Sequence, residues 1–435
     1  MNGDGVPPVW LSDRQRFGVV PGLERTHALL AALGRPDARF DVVLVAGTNG
    51  KGSVSALLHA MLRAGGRRVG RFTSPHLERF GERVTIDFTP GDAAALAAAL
   101  GRARAPVEAT GATYFEALTA IALDAFALAG VEIAVLEVGM GGRWDATNAT
   151  EPILSVVTSV DLDHTEVLGR TVETIALDKA GVARAGRPLL TGASGAALAV
   201  VRGEATRVGA KVWALDDVSW GATDLGWDGV RVRLPVPSAT GSGVPWRLET
   251  HLLGAHQARN LALAGASAAA LGLTEEASRA GAAEVAWPGR LEPLSARGRR
   301  WLLDGAHNPA AAHALAAAVR VLAPDGADVL VVGVNADKDV DGILDPLVAV
   351  AKRVVVTHAV TSARALEPTE IARRLAGIAP ALTVDVRSDA ESAVRRAEGV
   401  TRDGDLVLVA GSLFLVGEVR TLLRGARPES GRRWQ

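Results

Sequence analysis

The apolar run V-V-L-V-A at 42–46 leads straight into G-T-N-G-K-G-S, and a segment at 53–64 follows with Val54, Leu57, Leu58, Met61 and Leu62 at helical spacing. A strand without polar alternation has to be covered on both faces, which points to a mainly parallel sheet flanked by helices. The order then recurs. A helical pattern at 115–129 leads to I-A-V-L-E-V at 133–138 and the turn G-M-G-G-R at 139–143. I-L-S-V-V-T-S-V at 153–160 is a further buried-type strand, followed by polar D-L-D-H-T. Crossovers between such strands are expected to be right-handed.

With 435 residues the chain has room for two domains. Residues 211–250 interrupt the alternation with tryptophans, Gly, Pro and short runs such as V-R-V-R-L, and read as an antiparallel excursion on the first domain. A helix rich in Ala and Leu is expected at 256–272. At W-P-G-R-L-E-P (287–293) the prolines and Gly289 break the helical pattern and mark a boundary. Beyond it, segments 301–309, 329–334, 353–357 and 406–412 read as strands between Ala-rich helices. The expected fold class is α/β. A P-loop ATPase domain with a mainly parallel sheet and a small antiparallel excursion spans 1–286, a linker spans 287–297, and a smaller Rossmann-like domain spans 298–435.

Composition narrows the partners. A hydrophobic share of 48 % supports real cores, and a net charge of −1 argues against nucleic-acid or polybasic membrane binding. Cysteine is absent, which excludes disulfides, thiolate zinc sites and a cysteine nucleophile and is compatible with a cytoplasmic location. The start, M-N-G-D-G-V-P-P-V-W, reads as no secretory signal, and the Ala-rich runs are too short and interrupted to cross a bilayer.

The loop at 45–53 resembles G-x-x-x-x-G-K-[ST] but departs from it: Val45 replaces the first Gly, and Gly52 separates Lys51 from Ser53. A glycine-rich turn at a helix N-terminus still aims backbone N–H groups and the positive helix end at an anion. Lys51 adds a cation, and Ser53 is in reach of Mg²⁺. Other polar clusters sit at strand ends, where open α/β sheets gather ligands. Glu137 lies among apolar residues, where an unpaired carboxylate is costly. D-L-D-H (161–164) offers metal ligands or a helix N-cap with a solvated histidine; D-K-A-G (178–181) suits a helix end with a glycine cap. D-G-A-H-N-P (304–309) ends a strand of the second domain, so an active site in the interdomain cleft is expected. Oxygen ligands beside a phosphate chain favour Mg²⁺ over zinc.

Ordered motifs then become specific: V-A-G-T-N-G-K-G-S, T-S-P-H-L (73–77), L-E-V-G-M-G-G-R-W-D-A-T-N (136–148), S-V-D-L-D-H-T-E-V-L-G (159–169), D-K-A-G-V, H-Q-A-R-N (256–260), P-G-R-L-E, D-G-A-H-N-P, D-K-D (337–339) and G-S-L-F-L-V-G-E-V (411–419). From about residue 17 to about 420 the sequence resembles folylpolyglutamate synthase and its bifunctional dihydrofolate synthase members, within the Mur ligase superfamily. That family's phosphate loop carries Gly between Lys and Ser/Thr, as here.

The resemblance implies an ATP-dependent ligase that activates a folate or dihydropteroate carboxylate as an acyl phosphate and adds L-glutamate. It implies ATP contacts from Thr48, Asn49, Gly50, Lys51, Gly52, Ser53, Asn260, Arg290 and Asp304. It assigns Ser53, Ser74 and Glu137 to one Mg²⁺ and His164 to a second, a carbamylated Lys179 nearby, and His307 and Ser412 to the incoming glutamate. Lys51, Lys179, His164 and His307 are the implied catalytic set. Pterin-side positions are Val20, Pro21, Gly22, Leu23, Thr113, Tyr114, Phe115, Glu116, Trp144, Asp145 and Ala146. Tyr114 and Phe115 read equally as core aromatics starting a helix, and Asp145 as a structural partner of Arg143. V-V-P-G-L at 19–23 and Trp144 depart from the family pattern. A monomer is expected, with no nucleic acid or membrane partner. The alternatives are a Mur-type ligase acting on another carboxylate, and a P-loop ATPase that ligates nothing.

Overall fold

The computed structural model describes residues 7–14, 21–87, 89–90, 93–237, 244–426 and 428. Eight strands form the first sheet: β1 (Asp41–Ala46), β2 (Val69–Phe72), β3 (Val84–Ile86), β4 (Thr89–Pro90), β5 (Ile133–Glu137), β6 (Leu154–Val157), β7 (Pro188–Thr191) and β8 (Lys211–Ala214), in the order β4-β3-β2-β5-β1-β6-β7-β8. β1 sits centrally, parallel to β5 and β6; only β3 and β4 run antiparallel to their neighbours. Its side chains alternate between two cores, as strand pleating requires. Val42, Leu44 and Ala46 pack on the side of the helix Tyr114–Leu128, and Val43 and Val45 on the side of the helices Lys51–Ala64 and His256–Ala270. Each such buried Val or Leu contributes about 1.5–3 kcal/mol.

β9 (Gly221–Asp224), β10 (Val230–Leu234) and β11 (Trp246–Thr250) form a separate antiparallel sheet. V-R-V-R-L buries its Val and Leu side chains and exposes both arginines, as its alternation predicts. The excursion is shorter than expected, because 211–214 joins the main sheet as β8, parallel to β7.

A second sheet contains β12 (Glu292–Ala296), β13 (Arg299–Leu303), β14 (Val329–Val332), β15 (Arg353–Val356), β16 (Thr383–Val386) and β17 (Leu406–Ala410), ordered β12-β13-β17-β14-β15-β16. All pairs are parallel except β12 with β13. Residues 292–296, read from the sequence as linker, thus form an edge strand; Pro293 is tolerated there because an edge strand leaves amides unpaired. Among the described residues no helix is long and apolar enough to cross a membrane.

Several element ends differ from those expected from the sequence. The helix after β1 starts at Lys51, two residues earlier than its apolar pattern, and β6 stops at Val157. Helix Val172–Lys179 is capped by Ala180 rather than Gly181. Gly181 instead makes room for Arg143, whose Cβ would lie 2.6 Å from a Cβ placed there.

Candidate active site

The phosphate loop is stitched to the segment following β6. Thr48 N–H donates to Ser159 O (2.8 Å), Asn49 N–H to Ser159 Oγ (3.0 Å), and Thr158 Oγ1 to Asn49 O (2.6 Å). Gly50 heads the helix at φ 85°, a left-handed conformation that glycine adopts without penalty. The helix N-terminus therefore opens into the loop with its first amides free of intrahelical partners.

Two lysines converge on one carbonyl. Lys51 Nζ donates to Gly47 O and Thr48 O at 3.0 Å each, and Lys179 Nζ donates to the same Gly47 O at 2.9 Å. Lys179 is buried, at the end of its helix. Burial first and the neighbouring Lys51 second push its pKa down to about 7. Burial also lowers that of Lys51, against the pull of Glu137 and Asp163. Two full ammonium charges on one oxygen repel, so the site favours a neutral Lys179.

Glu137 ends β5 next to the loop, buried, with Oε2 accepting from Ser74 N–H at 3.2 Å. Burial raises its pKa, while Lys51 opposes the shift. Ser53 Oγ accepts from Gln257 Nε2 (3.3 Å), whose Oε1 accepts from Asn260 Nδ2 (2.8 Å). Asn260 lies directly over Gly50, where any Cβ would collide with its amide. Among the described residues no group of three or more His, Asp or Glu forms a ready metal cage. The oxygen donors that do gather, a carboxylate and serine hydroxyls beside a phosphate loop, fit Mg²⁺, which keeps waters and phosphate oxygens in its shell.

The second sheet closes the site from above. Asn49 and Asn308 exchange amide hydrogen bonds (3.0 and 3.3 Å), and Asn308 Nδ2 also donates to Asp163 Oδ2 (3.1 Å). Lys338 Nζ reaches Asp163 Oδ1 at 2.7 Å, both side chains being buried. Burial opposes ionisation of Asp163, yet His164, Lys338 and His307 hold its carboxyl below the usual range. Burial and then Lys338 push His164 and His307 down to about 4, so both rings are neutral near pH 7. His307 Nδ1 bonds Gly305 O (2.8 Å), which leaves Nε2 of the neutral ring as an acceptor. His164 occupies the N-cap position of Thr165–Leu168 without capping it, its φ of 50° turning it out of the helix path. Asp304 is buried and accepts from Leu291 N–H and Ala306 N–H, both at 2.8 Å. Ser412 Oγ, at the head of the helix Leu413–Leu423, is buried without a hydrogen-bond partner among the described residues. Arg290 Nη1 donates to Gly289 O at 3.0 Å.

The pterin-side positions are less convergent. Val20 lies outside the described residues, whereas Pro21 is exposed and Leu23 packs on the first core. Thr113 and Glu116 form the capping box of their helix, and Glu116 also takes Arg25 in a two-pronged pair (2.8 and 3.1 Å). Tyr114 and Phe115 pack on the first core, Phe115 against Phe72 and beneath Gly139. Asp145 does not pair with Arg143. It accepts from Met140 N–H, Thr147 N–H and Thr147 Oγ1, while Arg143 donates to Glu204 at 2.5 Å. Ala146 is buried, and Trp144 stands 53 % exposed.

Gln257, Asp163, Asn308 and Lys338 carry site contacts that no single residue announced. Each lies inside a quoted motif, but its partner comes from a distant part of the chain.

A phosphate loop on one parallel sheet, closed by the strand ends of a second, defines the Mur ligases. Residues 45–268 match the Mur ligase middle domain, and residues 289–413 match the Mur ligase glutamate ligase domain. A Bacillus subtilis dihydrofolate synthase/folylpolyglutamate synthase is 32 % identical over 95 % of this chain and 98 % of its own length. A Haloferax volcanii probable bifunctional folylpolyglutamate synthase/dihydropteroate synthase is 39 % identical over 95 % of this chain, which spans only 49 % of that relative. The solved Yersinia pestis bifunctional folylpolyglutamate synthase/dihydrofolate synthase, complexed with AMPPNP and Mn ion, is 30 % identical with a TM-score of 0.82, covering 98 % of this chain and all of that one. The chain belongs to the folylpolyglutamate synthase/dihydrofolate synthase family.

Proposed function

We propose that this chain uses ATP to join L-glutamate to the carboxylate of a folate, and of dihydropteroate, through an acyl phosphate. The observation that carries the reading is the clasp of Asn308 on Asn49 and Asp163, which sets the phosphate loop against the D-G-A-H-N-P strand end of the second sheet. The segment 1–286 would hold nucleotide and 298–435 would receive the amino acid. The Yersinia pestis relative is described with AMPPNP and Mn ion, in keeping with ATP and a divalent metal here.

Ser53, Ser74 and Glu137 would hold one Mg²⁺ and His164 a second, and the ions would neutralise charge on the transferring phosphoryl group. The other steps belong to the chain. Lys51 exchanges Gly47 O and Thr48 O for phosphate oxygens, and the loop amides add hydrogen bonds where negative charge builds. A neutral Lys179 is nucleophilic towards CO₂. Its nitrogen attacks carbon, a proton leaves, and the resulting carbamate replaces a neutral amine with an anion beside the metal site. His307 and Ser412 bind glutamate, the neutral His307 Nε2 accepting from its amine. The amine nitrogen then attacks the acyl carbon, the C–O bond to phosphate breaks, inorganic phosphate departs, and the proton lost by the amine passes to His307 Nε2. Asn260, Arg290 and Asp304 place the nucleotide, and the cleft excludes water that would hydrolyse the acyl phosphate. The protein is read as a cytoplasmic monomer.

ADP release in the presence of Mg²⁺ provides the test. The reading expects turnover that requires both glutamate and a reduced folate or dihydropteroate. Release indifferent to both would leave a simple ATPase.

A further inference from the structure

Gly52, the residue that spoils the general phosphate-loop pattern, has a neighbour from the interdomain turn. A Cβ at this position would lie 2.6 Å from Cζ2 of Trp287. The indole therefore sits directly on the loop helix, where any side chain between Lys51 and Ser53 would evict it. Arg71 closes over the indole from β2, with Cζ 4.9 Å from the ring centroid. Arg71 is buried, its Nη2 makes only a long 3.4 Å bond to Thr85 Oγ1, and its Nε has no hydrogen-bond partner among the described residues. A buried guanidinium that poorly satisfied is expensive to keep. What it does contact is the face of an aromatic ring. Burial lowers its pKa to about 10, so it stays charged at neutral pH.

Trp287 opens the turn between the two sheets. Gly289 and Leu291 both have left-handed backbones, at φ 71° and 46°. Gly289 N–H donates to Glu292 Oε2 (2.9 Å), Gly305 N–H to Gly289 O (2.9 Å), and Leu291 N–H to Asp304 Oδ2 (2.8 Å). The turn is thus pinned at its far end to the second sheet and at its near end to the phosphate loop.

We propose that Trp287 is a positioning residue: seated on Gly52 and clamped by Arg71, it ties the interdomain turn to the phosphate loop, so that phosphates entering the loop set how the second sheet lies over the reacting groups. The proposal rests on the ligase reading, with Gly52 serving as a seat as well as a phosphate-loop glycine.

The test is a mutant cycle of G52A, W287L and the pair, read by Mg·ADP calorimetry, steady-state ligation and indole fluorescence. W287L should keep Mg·ADP affinity within about threefold while kcat falls about tenfold, the split expected of a residue that acts on closure. G52A should lose about a hundredfold in kcat/KM, and the pair should recover about tenfold over G52A alone because the collision is gone. R71M should resemble W287L. W287F keeps a ring on Gly52 and serves as the folded control. It should lose the fluorescence change that Mg·ADP causes in the unaltered chain. Strict additivity of G52A and W287L, or an ADP-induced signal unchanged in W287F, would overturn the proposal. If the unaltered chain binds Mg·ADP but joins no amino acid, the ligase reading fails, and loss of the signal in W287F still supports the coupling of loop and turn.

Discussion

Gly47 O, shared by Lys51 and Lys179, is the smallest unit in which the chemistry can be seen. The carbonyl holds both lysine nitrogens only while one is close to neutral, and burial together with the charge of Lys51 makes that one Lys179. Replacing Lys51 by Ala should reduce kcat/KM by about a thousandfold or more through loss of charge stabilisation. Near-normal ADP release would remove Lys51 from the phosphates. Lys179→Ala should also impair turnover and regain part of it with added short carboxylates; unchanged kinetics would dismiss the carbamate. The same lysine gives a stability signature. Its folded pKa near 7 lies below the ordinary 10.5, so between those values the unfolded chain binds the additional proton. Its contribution therefore improves as pH rises from about 7 towards 10.5 and is flat below. In urea melts of the protein without CO₂, Lys179→Met should flatten that slope, and an unaltered slope would contradict the assignment.

At the scale of elements, the loop's glycines do separate jobs. Gly50 needs its left-handed backbone and lies under Asn260, so Gly50→Ala should cost about 1–3 kcal/mol in a urea titration. A change within a few tenths would show that the loop relaxes freely. The parallel strands were legible because sheets covered on both faces demand continuous apolar runs, which V-V-L-V-A and L-V-L-V-A supply. The helix start at Lys51 was hidden because Gly50 and Gly52 carry no apolar signal. β8 and β12 were hidden for a different reason: membership of a sheet depends on a distant partner, β7 in one case and β13 in the other. The same limit applies to Gln257 and Lys338, polar residues whose partners Ser53 and Asp163 lie far along the chain. Motif order points to the cleft as the candidate site; it does not say that Glu116 and Asp145 spend their carboxylates on backbone amides, Arg25 and Thr147.

At the scale of the whole molecule, the two sheets meet at several anchors. Beyond the Asn49–Asn308 clasp, Trp227 Nε1 donates to Leu322 O (3.0 Å) from the antiparallel sheet. Arg420 joins Glu78 of the first domain to Glu292, and Thr421 Oγ1 also donates to Glu78 (2.9 Å). Leu77 inserts beside Gly417 into the core of the second sheet. Arg420→Met would strand two mostly buried carboxylates and should cost about 2–3 kcal/mol in a denaturant melt. A loss under about half a kcal/mol would mean that water already screens the triad. These anchors keep the phosphate loop and the D-G-A-H-N-P strand end in one cleft, as the proposed acyl phosphate would require. That intermediate can be traced directly by labelling the folate or dihydropteroate carboxylate with heavy oxygen and analysing the inorganic phosphate released with ADP. The account predicts one labelled oxygen in each phosphate, in step with one new glutamyl amide; phosphate that carries no label, or forms without an amide product, would contradict it.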